Sequence, residues 1–303
     1  MSNYTIRELE QLTGVKAHTI RIWEQRYGLF APERTETNIR YYNNEELKKL
    51  LNISSLLAKG MKISKISQMP LNQLNAHLTD LYEANRIAKV QPSQQDKVNS
   101  LVLASIDFNE DLFSTVYDNA FQSLGFYDTI LTVIYPFLNR VGLLWVTTEM
   151  HPGHEHFVSN LIRQKIIVGI DKMQFSSTSS LGQKFLLFLP EGETHELGLL
   201  LANYLIRAAG HKTIYLGQNL PTKDLLAVMH TIKPDALLLM TTSPQTRTKL
   251  PNLAKALGQL PKPQIPILVS GNPRNQDYLG NEVNVTWLNS PNALVEYLHQ
   301  LGK

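Results

Sequence analysis

Five short apolar segments alternate with helical patterns in the last part of the chain, and this alternation constrains the fold most. The segments span residues 184–189, 213–217, 236–241, 265–270 and 285–288, and helical patterns begin near 195, 222, 246, 274 and 291. Strands that alternate with helices predict a flavodoxin-like, doubly wound α/β domain with a parallel sheet. Ligands of such sheets bind beyond the carboxyl ends of the strands. We therefore expect a binding site just after the first strand.

The N-terminal part of the chain predicts an α-helical winged helix-turn-helix. A capping-box pattern at Thr5 opens a helix that ends near Gly14, and a second helix is predicted from about 17 to 27. Residues 32–42 predict a two-stranded wing. Asn44 is predicted to cap a third helix that ends at Gly60, and a short fourth helix follows.

Four further helical patterns separate these two regions. They cover about 93–105, 109–123, 127–145 and 153–173, and their short connections predict an antiparallel four-helix bundle. The predicted organisation is multidomain: a DNA-binding domain at 1–75, a linker at 76–95, a helical bundle at 96–178 and an α/β domain at 182–303.

Composition limits the classes of partner and compartment. Residues 1–70 contain 11 Lys and Arg against 7 Asp and Glu, whereas the remainder contains 18 against 19. A polyanion would therefore meet the N-terminal domain. The absence of cysteine excludes disulfides and thiolate metal sites and fits a reducing compartment. The apolar runs are far shorter than the roughly 20 residues a membrane helix needs, so we expect a cytoplasmic protein with no membrane partner.

The segment Glu193-Thr194-His195-Glu196-Leu197-Gly198 follows the first predicted strand. A carboxylate two residues before an imidazole is a suitable arrangement for binding a metal. One ring nitrogen would bind the metal, and the carboxylate would accept the N–H of the other ring nitrogen. The alternative is a histidine that simply begins a helix beside an acidic neighbour.

This pattern is similar to the Asp-x-His-x-x-Gly signature of cobalamin-binding domains, with Glu193 where Asp is usual. The resemblance implies that His195 is the lower axial ligand of cobalt, that Glu193 holds its other nitrogen, and that Gly198 leaves space for the macrocycle. It also places four residues where relatives line a channel for the displaced nucleotide tail, although neither tail motif is intact: Thr241, Ser243, Ser270 and Gly271. Ordinary strand-end loops explain those four equally well.

Trp145, followed after nine residues by Glu155 and His156, resembles a feature of cobalamin-dependent MerR-type regulators of the CarA, CarH and LitR type. The resemblance implies that the three residues cover the upper face of adenosylcobalamin. A tryptophan at a helix end is alternatively a core residue.

Light-sensing relatives can carry a histidine directly after this tryptophan, where this chain has Val146. A light response that depends on that histidine would need a substitute among His151, His154 and His156. These three histidines are alternatively solvated or weak zinc ligands.

The segment 19–28 resembles the recognition helix of the MerR-family winged helix-turn-helix, with Trp23 in the core. Six residues are predicted to contact DNA through this helix and the wing: Lys16, His18, Arg21, Arg26, Arg40 and Tyr41. A charged helical face is alternatively mere solvent surface.

Together these resemblances imply a transcriptional regulator, a repressor rather than an enzyme, whose cofactor is cobalamin, in particular adenosylcobalamin. Its partners would be a double-stranded DNA operator and copies of itself. Because no sustained heptad follows residue 60, we expect the cobalamin-binding part to assemble a dimer or tetramer whose state depends on the ligand and, in light-sensing relatives, on light. The rivals are a corrinoid carrier for methyl transfer and, less compatible with the absence of cysteine, a sensor of a bare metal ion.

Overall fold

The structure, a computed structural model, describes residues 4–35, 38–58, 60–70, 73, 93–147, 152–173, 182–259, 265–279 and 285–301. The chain divides into two compact units, Met1–Leu161 and Ile162–Lys303. Within the described ranges, no helix combines the length and the apolar character needed to cross a membrane. Most of the predicted linker, including residues 76–92, lies outside the described residues.

The N-terminal region of the first unit is a winged helix-turn-helix, as predicted. Its helices are α1 (Ile6–Thr13), α2 (Ala17–Tyr27), α3 (Asn44–Ala58) and α4 (Ile63–Ile66). Its strands are β1 (Tyr4–Thr5), β2 (Glu33–Arg34) and β3 (Arg40–Tyr42), paired antiparallel in the order β1-β3-β2. The predicted capping box at Thr5 is present, whereas strand β1 was not expected. Trp23 is buried, as predicted.

The predicted cap of α3 is one residue off. The Asn43 side chain accepts the Glu46 N–H at 3.0 Å, and the Glu46 carboxylate accepts the Asn43 N–H at 3.1 Å. This reciprocal pair places the cap at Asn43. Asn44 lies inside the helix, where its side chain accepts a hydrogen bond from the Tyr4 hydroxyl at 2.7 Å. Either of these two adjacent asparagines could cap the helix as far as the sequence shows. The tertiary structure assigns the cap to Asn43 and the contact with Tyr4 to Asn44.

The helical bundle contains α5 (Gln94–Ile106), α6 (Glu110–Thr129), α7 (Tyr135–Thr147) and α8 (Pro152–Asp171). The break predicted at Gly125 is present: its φ of 76° and ψ of 173° are not helical, so two helical segments meet there within the bounds of α6. The segment predicted as one helix over 127–145 is helical throughout, but it contains a π-helical turn, Ile130–Ile134, between α6 and α7, which was not predicted. Pro136 cannot donate a backbone hydrogen bond to the preceding turn, and a widened turn absorbs this gap.

The α/β region lies in the second unit. Its strands are β4 (Lys184–Pro190), β5 (Lys212–Leu220), β6 (Ala236–Thr241), β7 (Ile267–Gly271) and β8 (Val285–Leu288). Its α-helices are α9 (Leu197–Ala208), α10 (Thr222–Ile232), α11 (Leu250–Gly258) and α12 (Pro291–Leu301). The helices predicted near 246 and 274 begin as 3₁₀ segments, Pro244–Thr248 and Pro273–Leu279, and the first leads into α11.

The sheet is parallel throughout, with strand order β5-β4-β6-β7-β8. The prediction of a flavodoxin-like doubly wound sheet is therefore confirmed. From β4 the chain passes first to β5 on one side and then to β6 on the other, so β4 and β6 border the topological switch point. Ligands of this fold bind in the crevice beyond the carboxyl ends of these strands.

Burial of the central strands holds this crevice in place. Six of the seven residues of β4 are buried, and strand β6 contributes Leu237 and Leu239 to a core cluster with Leu186 and Phe188. Strands covered on both faces read as continuous apolar runs rather than as alternation. The loops that follow β4 and β6 therefore start from rigid, closely paired strand ends.

Candidate functional site

A buried carboxylate joins the two loops at the switch point. Glu193 follows β4 and its side chain is fully buried. One carboxylate oxygen, Oε1, accepts the backbone N–H groups of Thr194 and His195, both at 3.1 Å. The other, Oε2, accepts the N–H groups of Thr242 and Ser243 at 2.6 and 2.7 Å. Glu193 therefore fastens the loop after β4 to the loop after β6.

The same carboxylate orients the His195 ring. His195 Nδ1 lies 2.5 Å from Glu193 Oε1, while the His195 side chain is 55% exposed. With Nδ1 directed at the carboxylate, a metal would be bound through Nε2, and the acid would set the tautomer and strengthen the ligand. Within the described ranges, no three His, Cys, Asp or Glu side chains form a group suited to a metal ion. The donor set therefore fits a metal that needs one protein ligand.

The hydrogen bonds also keep Glu193 ionised. Burial alone would raise its pKa, but bonds from the His195 ring and from the N–H groups of Ser243, Thr242 and His195 lower the pKa to about 2. Donors aimed at a carboxylate favour its charged form. Glu193 is therefore an anion at any physiological pH, and its interaction with the imidazole persists.

Gly198 is the second residue of α9 and lies beside strand β6. A Cβ atom there would lie 2.7 Å from the Met240 Sδ. Gly198 therefore also has a packing role, because Met240 occupies the space that a side chain at this position would need. Its predicted role, to leave space for a macrocycle, stays a prediction.

The four predicted tail-contacting residues have different environments. Thr241 is fully buried, and its hydroxyl lies 3.0 Å from that of Thr246. The Ser243 hydroxyl accepts the Gln245 N–H at 3.1 Å, and the Ser270 hydroxyl donates to the Leu288 carbonyl at 2.7 Å. Gly271 is exposed and has a φ of 126°. Each of the three hydroxyls thus has a partner inside the protein.

Asn275, which sequence analysis missed, ties these loops together. Its fully buried amide donates to the Thr241 carbonyl and hydroxyl at 3.1 and 2.9 Å and to the Ser243 carbonyl at 3.3 Å. Its oxygen accepts a bond from Arg247 at 2.7 Å. The only sequence signal was its position in the loop that follows β7.

A second missed group surrounds Glu196, the neighbour of His195. Its carboxylate accepts hydrogen bonds from Arg163, the Tyr215 hydroxyl and Gln218, each at 2.9 Å. Burial, followed by the bond to Glu196, raises the pKa of Tyr215. These contacts fix the residue after His195 to α8 and β5, which restrains the start of α9.

The predicted upper-face residues lie in the bundle. Trp145 and Val146 belong to α7, and their side chains lie outside the described structure, as does His151. Glu155 is half-buried and His156 exposed near the start of α8. His154, by contrast, is buried, with its Nδ1 3.0 Å from the Ser105 carbonyl and its ring stacked on Phe108. The structure thus sets the buried His154 apart from the exposed His156.

The predicted DNA-contacting residues of α2 and its entry are accessible to solvent. Lys16, His18, Arg21 and Arg26 are all exposed. Lys16 pairs with Glu10 at 2.9 Å, and the Arg26 guanidinium lies 5.5 Å from the centre of the Tyr27 ring. This surface can meet phosphates and groove edges.

The wing residues are more engaged with the protein. The Arg40 Nε donates to both carboxylate oxygens of Glu24 at 3.1 Å. A hydrogen bond with Glu33 raises the pKa of the Tyr41 hydroxyl.

Comparison with known proteins identifies the two helical regions. Residues 4–71 match the MerR HTH family regulatory protein, and residues 98–168 match the B12 binding domain. The chain therefore joins a MerR HTH domain to a B12-binding domain, and this combination defines its class. The corresponding resemblance found in the sequence is confirmed.

The chain is similar over most of its length to two named repressors. It is 26% identical to the HTH-type transcriptional repressor CarH of Myxococcus xanthus, with 88% of each chain covered. It is 27% identical to the repressor CarA of the same organism, over 77% of this chain and 75% of CarA. The monomethylamine corrinoid protein of Methanosarcina barkeri shares its fold at 12% identity, with a TM-score of 0.58, covering 69% of this chain and 100% of that protein.

Proposed function

We propose that this protein is a cobalamin-dependent transcriptional regulator that represses by binding an operator through its MerR HTH domain. The observation that carries the proposal is the Glu193–His195 pair at the switch point of the sheet, in a chain whose N-terminal domain is of the MerR type. The similarity to CarH and CarA over most of the chain supports the same function.

His195 would hold cobalamin through Nε2. When bound, the corrin supplies a cobalt ion that already has four equatorial nitrogens, so one imidazole suffices. Glu193 would hold the ring in place, and Gly198 would allow close approach to α9. Thr241, Ser243, Ser270 and Gly271 would form the wall beside the displaced tail, and Asn275 would hold the Thr241 hydroxyl and the Ser243 carbonyl in place.

Adenosylcobalamin is the form of the cofactor that we propose. Trp145, Glu155 and His156 would cover its upper face, because the bundle matches the B12 binding domain and carries these residues on α7 and the start of α8. The exposed His156 is available for such a contact.

Double-stranded DNA would bind the exposed face of α2 and the wing. Lys16, His18, Arg21 and Arg26 would meet phosphates and base edges, and Tyr41 would meet the flanking backbone. Arg40 belongs to the wing as well, and its Nε donates to Glu24 of α2.

Ligand control would act through assembly. One winged domain reads a short half-site, so specific binding requires a dimer or tetramer. We expect adenosylcobalamin to favour the assembled, DNA-binding form, with His195 as the link between cofactor and assembly.

Reconstitution tests the cofactor part of the proposal. Wild-type protein mixed with adenosylcobalamin in the dark should retain the cofactor through desalting and show an altered absorption spectrum. H195A should lose both properties, whereas H299A, in the last turn of α12, should retain them. Equal retention and identical spectra for wild type and H195A would contradict the proposed ligand.

Size-exclusion chromatography tests the assembly part. The apo, adenosylcobalamin-bound and illuminated forms of the wild type should differ in elution, and the H195A variant should elute as the apo form does under all three conditions. Identical elution of the three wild-type samples would contradict ligand-controlled assembly.

A corrinoid carrier for methyl transfer would share the bundle and the α/β fold. The MerR HTH match argues against that alternative, because a carrier has no use for a winged DNA-binding domain. A gel shift with a duplex selected by the wild-type protein separates the two functions: a carrier would select none.

A further inference from the structure

Glu24 lies on the recognition helix α2 and faces the wing. Its side chain is 14% exposed and that of Arg40, at the start of β3, is 24% exposed. The Arg40 Nε donates to both oxygens of the Glu24 carboxylate at 3.1 Å. An arginine that contacts phosphate would instead have its guanidinium accessible to solvent. Arg21 and Arg26, which lie on α2, are exposed and meet this condition.

Other wing residues converge on the same carboxylate. The Arg34 Nη2 lies 4.0 Å from Glu24 Oε1, while Arg34 Nη1 donates to the Asn38 side chain at 2.6 Å. Arg34 and Arg40 are partners in the β2–β3 register. The buried Tyr42 hydroxyl lies 3.5 Å from Glu24 Oε2, and its pKa is raised to about 12, by burial first and then by the Glu24 charge. Glu24 thus contacts both strands of the wing.

We propose that Glu24 and Arg40 are positioning residues that lock the wing against the recognition helix, and that Arg40 adds little direct phosphate contact. This inference rests on the proposed DNA-binding function. The physical reason is charge: the pair is neutral as a unit, whereas an arginine that neutralises a phosphate releases counterions. Helix α2 and the wing must contact the same duplex at a set separation. The Glu24–Arg40 pair, called the clamp below, fixes that separation.

The salt dependence of DNA binding distinguishes the two roles of an arginine. Each neutralised phosphate contributes about −0.9 to the slope of log K against log salt concentration. The full-length protein would be titrated with a duplex selected by wild type from a random library, at four salt concentrations. R26Q should reduce the magnitude of the slope by about 0.9. R40Q and E24Q should each weaken binding about tenfold while leaving the slope at the wild-type value.

A charge swap tests the clamp directly. R40E alone should bind poorly, because two carboxylates then face each other, and E24R/R40E should recover most of the lost affinity. E45Q is the matched control for a change of charge, since Glu45 lies on α3 and pairs with Lys48. It should bind as wild type does. Circular dichroism would confirm that each variant is folded.

The possible outcomes are distinct. Unchanged slope in R40Q and recovery in the double variant support the clamp. A slope loss in R40Q equal to that in R26Q overturns it, because Arg40 would then contact phosphate. Failure of the wild type to select any duplex would contradict the DNA-binding function itself and the clamp with it.

Discussion

Replacing Glu193 by glutamine should destabilise the C-terminal unit by about 3 kcal/mol at neutral pH. The pKa of Glu193 is lowered from 4.5 to about 2, and each pKa unit corresponds to about 1.4 kcal/mol. A direct count of bonds gives the same order. The carboxylate accepts two N–H groups at each oxygen, and a glutamine NH₂ can replace only one oxygen, which leaves two donors unpaired. Each costs about 1 to 3 kcal/mol.

The pH dependence follows from the direction of this shift. Because the folded state lowers the pKa of Glu193, its contribution to stability is complete above pH 4.5 and is lost as pH falls toward 2. The difference in the free energy of unfolding between wild type and E193Q should therefore narrow to about 2 kcal/mol at pH 3.5. Below that range the two proteins should converge.

Urea denaturation checks both values. Trp287 in β8 reports on the C-terminal unit when Trp23 and Trp145 are replaced by phenylalanine. The matched control is E191Q, since the Glu191 side chain is 43% exposed and pairs only across the surface with Lys249 at 3.0 Å. Exposed ion pairs contribute about 0 to 1 kcal/mol to the free energy of unfolding, so E191Q should cost little. A loss of stability in E193Q no larger than in E191Q, or one that stays constant from pH 7 to pH 3.5, would show that the buried carboxylate does not stabilise these loops as described.

Four further substitutions test the strand-end loops and the helix cap by urea or thermal unfolding. G271A should cost more than about 3 kcal/mol, because φ is 126° and a Cβ would lie 2.3 Å from the Thr241 carbonyl oxygen. G192A, at positive φ in open space, should cost about 1 kcal/mol, and equal losses would contradict the clash. N275A should cost about 2 to 3 kcal/mol through unpaired buried groups on Thr241; an unchanged midpoint would count against its role. N43A should cost about 1 kcal/mol through loss of the α3 cap, and no change in melting would show the cap to be elsewhere.

Local patterns predicted most of the elements. The capping box at Thr5 and the strand-helix alternation after residue 184 both use interactions between residues a few positions apart, so spacing alone exposes them. The prediction failed where the pattern is ambiguous. A helix signal could not reveal the π turn before Pro136, because Ile130, Val133 and Ile134 keep a helical spacing of apolar residues. The 3₁₀ segment Pro273–Leu279 has too few apolar residues for their spacing to tell a 3₁₀ turn from an α-helix.

Local sequence was sufficient to predict the class of fold, the place of His195 just after the first parallel strand, and its proximity to Glu193, since two residues of chain allow little else. The folded structure was needed to show that Glu193 also holds the loop at Thr242 and Ser243, about fifty residues away. It also shows that the Arg40 Nε donates to Glu24, sixteen residues away on α2. Such contacts depend on strand order and on how the wing packs, which join residues that no local spacing relates.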